Sequence, residues 1–340
     1  MAVVVNPNRG ADLPAARPAG NRRVLGVVLA AVAGVAVAAQ SRVNSDLAVQ
    51  LGDGLAAAAI SFGTATLVLA SAVLATRVGR RGLARLRAGI RTRLVRPWQC
   101  LGGCCGAALV VTQSTTVPWT GVAIFSVAMV AGQTVGGLLV DRLGAGPAGP
   151  QRLTPTRVAG AGLALAAAFI AAVDHVDQLS DLRSLSLVLL PTAAGVGIAW
   201  QQAVNGRIGE AAGPTAAVFV SFLAGSAALL LAIIVAVSAR GGPTGSLPSQ
   251  PWPYLGGLIG VVIIAIGVAV VPHVGVLLLT LGMIAGQLAG AIALDIVALR
   301  AGAGPTTLWT LVGASLSLLA VLATAFRGTA ADPRPARSAT

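Results

Sequence analysis

Gln133 and Gln287 stand 154 positions apart in stretches that are otherwise almost wholly apolar. Each precedes an aspartate, Asp141 or Asp295, by eight residues. On a helix that spacing places the glutamine about 12 Å deeper in the bilayer than the carboxylate. An amide in hydrocarbon costs free energy until it finds a partner, so amides at this depth either bond across helices or line a polar cavity. A second polar set is built on i, i+4 spacing: Gln40 with Asn44, and again Gln201 with Asn205. Each pair occupies one helix face. Ser61 and Ser221 follow in the next apolar runs, and Trp200 and Gln202 add bulk and polarity beside the second pair. Amides, hydroxyls and an indole can hydrogen-bond and stack against a small solute. Interhelical bonding and helix capping would use the same residues.

Asp141 and Asp295 add charge at helix ends. A carboxylate there could bind and release a proton, or it could reach the interface or cap a neighbouring helix. No carboxylate falls deep inside an apolar run. A charge at the bilayer centre costs about 2.5–3.5 kcal/mol on insertion scales, so its absence argues against an intramembrane proton-exchanging Glu.

Motifs for covalent chemistry are missing. The sequence has no HExxH, no GxSxG and no Walker A, and its two histidines, His175 and His273, are isolated. The three cysteines, Cys100, Cys104 and Cys105, lie in one predicted helix and read as small apolar fillers. No enzyme, cofactor or metal site is expected.

The elements that must position these residues are membrane helices. The chain is 56% hydrophobic and 10% charged, with a mean hydropathy of +0.87, whereas soluble domains carry about 25% charged residues. Apolar runs of about 20 residues, long enough to span a bilayer, recur throughout. The 43 glycines suit close approach of helix backbones in lipid.

The apolar runs form two copies. Pro97, Trp98, Gly102, Gly103, Gly106, Pro118, Gly121, Gly132, Gln133, Gly136 and Asp141 match Pro251, Trp252, Gly256, Gly257, Gly260, Pro272, Gly275, Gly286, Gln287, Gly290 and Asp295 at a constant offset of 154. Four GxxxG pairs result: Gly102/Gly106, Gly132/Gly136, Gly256/Gly260 and Gly286/Gly290, each a smooth face for a neighbouring backbone. Pro118 and Pro272 predict tight links, so the runs on either side of each form antiparallel hairpins.

Ten spans are predicted, five per copy. The first five are Val24–Gln40, Leu55–Thr76, Trp98–Val117, Gly121–Val140 and Val158–Val173. The second five are Leu185–Gln202, Pro214–Val237, Tyr254–Val271, Val274–Leu299 and Thr306–Phe326. A disordered cytoplasmic tail covers 1–21, the repeats cover 22–176 and 177–327, and a second tail covers 328–340.

The formal charge of +13 comes from 23 basic residues, all Arg. With the N-terminus inside, the cytoplasmic segments hold 19 of them and the outer segments only Arg42, Arg183, Arg240 and Arg300. The positive-inside rule then places both termini in the cytoplasm and turns the second copy over relative to the first. Distribution therefore assigns the positive charge to orientation rather than to nucleic acid. The Arg-rich loop Arg77–Arg96 reads chiefly as an orientation signal, with contact to anionic headgroups as its alternative.

These residues resemble the drug/metabolite transporter superfamily, and specifically its YdcZ-like branch. The resemblance rests on the Gln40-Ser41-Arg42-Val43-Asn44 run, then Ser61-Phe62, then the GG…P…G…GQ…D series, all met twice between about 24 and 326. Gln202 stands where the first copy has Ser41, and the second copy carries a one-residue length change before Ser221. The resemblance implies an all-α fold of ten helices in two inverted five-helix repeats, an internal pseudo-dimer that is monomeric or pairs as a homodimer. It also implies transport of small metabolites or toxic compounds across a cell membrane; a secondary transporter of this kind would draw on an ion gradient, of protons or of sodium. Inverted repeats recur in secondary transporters independently of that family. The substrate path expected here is lined by Gln133, Gln287, Gln40, Asn44, Gln201, Asn205, Trp200, Ser61 and Ser221, with Asp141 and Asp295 as candidate proton carriers. The competing expectation is a non-transporting scaffold or accessory subunit.

Overall fold

The computed structural model describes residues 19–171, 182–242 and 245–299, with 312, 315, 316 and 319 beyond them. The expected tenth span, both expected tails and the boundary at 176/177 lie mainly outside the described residues. The described residues form eight α-helices, joined by loops and short 3-10 turns, and no strand. They are α1 (Ala19–Leu51), α2 (Gly54–Ala75), α3 (Arg77–Arg91), α4 (Gly103–Arg142), α5 (Pro155–Ala171), α6 (Leu182–Ala212), α7 (Pro214–Arg240) and α8 (Gly256–Leu299). Two 3-10 turns, Pro97–Gly102 and Trp252–Leu255, precede α4 and α8 at matched positions. Arg22–Leu51, Gly54–Ala75, Pro214–Ala239 and Trp252–Leu294 are long and apolar enough to cross a membrane.

The helical runs α4 and α8 are each folded back on themselves. Gly106 approaches Gln201 of α6, while Gly136 approaches Val196 of the same helix. An unbroken helix would separate those two glycines by about 45 Å, whereas Val196 and Gln201 are only about 7.5 Å apart along α6. The chain must therefore reverse between them. The same holds for α8: Gly260 meets Gln40 of α1, Val270 and Val274 meet Gly26, and Gly290 meets Val35 and Ala38. Its reversal is visible at Gly275, whose φ of 80° and ψ of 172° are open to glycine and strained for other residues. Pro272 ends the first arm just before it. The hairpins expected from Pro118 and Pro272 are thus present.

The first helix of each copy nests in the hairpin of the other. α1 lies in the hairpin of α8, and α6 lies in the hairpin of α4. The contacts repeat with the sequence. Gly286 packs on Ala31 and Gly132 on Thr192; Gly290 packs on Val35 and Ala38, and Gly136 on Val196 and Ala199. Gly34 sits on the backbone of Met283 and Gln287, as Gly195 sits on that of Met129 and Gln133. A side chain at these glycines would collide with backbone. In lipid, where apolar burial between helices gains little, such close van der Waals approach is the main attraction. The matched helices run in opposite directions, since Gly26 near the start of α1 and Gly206 near the end of α6 both meet the Val270–Val274 segment. We call that end of the bundle the near end. A core of Ala30, Val140, Ala199, Ala203, Val271, Val276 and Leu279 joins all four elements there.

Two expectations require correction. α1 and α6 do not end at Gln40 and Gln202 but continue to Leu51 and Ala212. The extension of α1 is held by Leu47 and Leu51 packing on Ala56 and Ala57, and no Gly or Pro interrupts it before Gly52. The Arg77–Arg96 segment is not a loop: its first fifteen residues form α3. Thr76 makes the corner, closing α2 and accepting a hydrogen bond from the Gly79 N–H as the cap of α3. Gly79, Gly82, Leu86 and Gly89 form the buried stripe of α3.

Candidate functional site

The twice-written polar motif assembles across the two copies rather than within either. Gln40 and Asn44 of α1 face Gly256, Gly257 and Gly260 of α8, with Ser61 of α2 beside them. The Gln40 side-chain amide donates to the Gly256 carbonyl at 3.0 Å. A Cβ on Gly256 would strike Asn44 Oδ1, and one on Gly257 would strike the Ser61 carbonyl. The second cluster repeats this nearer the other end. Gln201 and Asn205 of α6 face Gly102 and Gly106, while Gly103 abuts the Ser221 carbonyl of α7. Both amides donate to Ser221 Oγ, Gln201 at 3.3 Å and Asn205 at 3.1 Å.

The two clusters differ in how well they are satisfied. Ser221 Oγ receives two bonds, whereas Ser61 Oγ and Asn44 Oδ1 are buried with no hydrogen-bond partner among the described residues. Gln201 Oε1 is likewise unpartnered. Between the clusters α2 crosses α7. Phe62 and Phe222 stack obliquely there, with ring centroids 5.1 Å apart, and Thr66 and Ser226 share a 2.7 Å hydroxyl bond. Phe62 also touches Gly106 and Gly225, and Phe222 touches Gly260, so the aromatic pair contacts both clusters.

Gln133 and Gln287 hold matched backbone positions but unlike surroundings. Gln133 is half-buried and Gln287 exposed, and neither side chain bonds to another described residue. They are not joined to the serine clusters by any bond. Trp200 stacks on Trp98 beside the second cluster, with centroids 5.3 Å apart and planes 18° from parallel. A link that sequence reasoning missed runs from Gln202: its Oε1 accepts from Thr280 at 3.0 Å, and its amide points at the Met283 sulfur. Its departure from Ser41 of the first copy was the available signal.

Asp141 is 3% exposed and fully engaged. Its carboxylate accepts from the Val276 N–H at 2.8 Å and the Leu277 N–H at 3.1 Å, and it pairs with the Arg157 guanidinium at the start of α5. Val276 and Leu277 begin the second arm of α8, just past the Gly275 reversal. The carboxylate of one copy therefore caps a helix of the other, satisfying N–H groups that have no intrahelical partner and opposing the positive end of the helix dipole. Arg207 adds two bonds to the Gly144 and Ala145 carbonyls at the same end. Asp295 lies on α8, and its side chain falls outside the described residues. The repeat does not reproduce Arg157, whose counterpart after the matching Pro305-Thr306 is Thr307.

Among the described residues, an all-helical, doubled bundle with glycine-faced hairpins, four of its stretches long and apolar enough to cross a membrane, is that of an integral membrane protein. A family model described as "Putative inner membrane exporter, YdcZ" matches residues 25–170 and again residues 186–323, and the chain belongs to that family. No curated protein matches it. A solved structure, titled only "Crystal structure of protein", aligns with a TM-score of 0.63 at 16% identity, covering 89% of this chain and 97% of that one. At that identity it supports the fold alone.

Proposed function

We propose that this chain is a secondary transporter that exports small metabolites or drug-like compounds across the cytoplasmic membrane by alternating access, coupled to a proton or sodium gradient. The observation that carries the reading is the exchange of polar ridges. Each Gln–Asn face lies on the glycine face of the opposite copy, one cluster towards each end of the bundle. Glycine faces offer little side-chain interlocking, so such a seam can part and close without repacking a core. The moving bodies are then the two sequence repeats, which meet along the α1–α8 and α6–α4 seams. The Phe62–Phe222 contact serves as their pivot.

In this reading the chain has ten spans, both termini are cytoplasmic, and the near end faces the cytoplasm. The near end is the tied one here, through Asp141, Arg157 and Arg207, and the far cluster carries the unpartnered oxygens of Asn44 and Ser61. A cargo with hydrogen-bond donors can satisfy those oxygens as it passes. Gln133 and Gln287 would meet it at mid-depth. Asp141 would couple a proton only by giving up the cap on α8, which links protonation to movement of that hairpin. The test is compound resistance or efflux in a host stripped of its own exporters. Gln133→Leu with Gln287→Leu, at equal expression, is expected to abolish efflux; wild-type efflux in that variant refutes the cavity assignment.

A further inference from the structure

We propose that α3 is a lipid-binding helix that holds anionic phospholipid headgroups of the cytoplasmic leaflet; its orientation rests on the topology proposed above. α3 touches only helix ends. Gly79 packs on Val73 in the last turn of α2, and Gly82 packs on Ala212 at the end of α6 and Ala216 at the start of α7. Leu86 and Val95 complete the contact with Ile208, Ala212, Ala216 and Ala217. A helix that crosses the ends of three others lies flat at the membrane surface, at the depth of the headgroups.

Its outer surface is cationic without compensation. Arg77, Arg80, Arg81, Arg85, Arg87 and Arg91 of the helix, with Arg93 and Arg96 after it, are all exposed. The ion pairs among the described residues use Arg42 and Arg157, and none of these eight. Arg80 bonds only to the Leu74 carbonyl. Apolar side chains stand beside the charges: Val78 is 66% exposed and Leu94 71%. Val78 and Arg85 are seven apart and share a flank of the helix. Charge alone would suit any polyanion. Charge flanked by exposed aliphatic groups suits an acyl chain ending in a phosphate headgroup.

The experiment uses the intact protein in neutral detergent. It is titrated with short-chain phosphatidylglycerol or phosphatidylcholine, and bound lipid is counted by native mass spectrometry. The wild type is expected to prefer phosphatidylglycerol. Arg85→Gln with Arg87→Gln, which leaves six basic residues in the segment to hold topology, should weaken that lipid about fivefold per arginine. Phosphatidylcholine binding should not change, and Arg85→Lys with Arg87→Lys should keep the preference. Excess glycerol phosphate should fail to displace the lipid. Three results overturn the proposal: a preference that survives the Gln pair, displacement by glycerol phosphate at equal affinity, or an oligonucleotide that binds these arginines more tightly than lipid. None of these readings depends on transport, so a failed efflux assay leaves the outcome interpretable.

Discussion

The carboxylate of Asp141 serves two masters, the Arg157 guanidinium and the first N–H groups of the second arm of α8, and this sets an unequal pattern of mutant stabilities. Both ionic partners are nearly buried, Asp141 at 3% and Arg157 at 8% exposure. Asp141→Leu strands the Arg157 charge and also uncaps two N–H groups. Breaking a buried pair from one side costs about 3–5 kcal/mol, so a loss of about 4 kcal/mol is expected. Arg157→Leu leaves Asp141 still bonded to Val276 and Leu277, which lowers the expected loss to about 2 kcal/mol, near the value of a charged hydrogen bond. The double variant removes both charges and strands neither; only the uncapped amides and altered packing remain, at about 3 kcal/mol. The effects therefore fall short of additivity by about 3 kcal/mol. The assay is reversible unfolding in mixed micelles of rising sodium dodecyl sulfate content, followed by tryptophan fluorescence, as a double-mutant cycle. Additive losses would refute the shared role of Asp141. So would an Arg157→Leu loss equal to that of Asp141→Leu, because the cap would then contribute nothing.

The serine clusters give a second asymmetry: Ser221→Ala leaves the Gln201 and Asn205 amides without their acceptor and should cost about 1–3 kcal/mol in the same assay, whereas Ser61→Ala removes an unpartnered hydroxyl and should cost well under 1 kcal/mol. Equal losses would show that the two clusters are bonded alike. For topology, a reporter enzyme fused after Thr340 should register as cytoplasmic in intact cells, and an external signal would break the ten-span arrangement together with its inversion.

The parts of this fold written in the sequence are those that depend on local period and local breaks. Pro118 and Pro272 announced the reversals in α4 and α8. The GxxxG pairs announced close packing, though not against which helix. That partner is a tertiary fact: nothing near Gly286 names Ala31. The same limit hid Arg157, which finds Asp141 only because α5 returns over the end of α4. α3 was obscured differently. Gly79, Gly82 and Gly89 weaken helix propensity and resemble loop punctuation, yet Gly79 and Gly82 are where the helix meets the backbones of Val73 and Ala212, and Gly89 is where it meets the Val95 side chain. At the candidate site, the Gln–Asn and Ser–Phe spacings marked residues that do come together. Their assembly across copies, and the separation of Gln133 and Gln287 from them, required the fold.

The nesting of α1 in the hairpin of α8 also sets a timetable for biogenesis. Gln40 finds its backbone partner in Gly256, 216 residues later in the chain. At about 5–20 residues per second, α1 leaves the ribosome roughly 10–40 s before the surface it fits exists. During that interval its glycine and amide face meets lipid or an insertion factor instead. α6 has no such wait, since the α4 hairpin is already made. The first helix thus reaches its α8 neighbours only after most of the chain has been made.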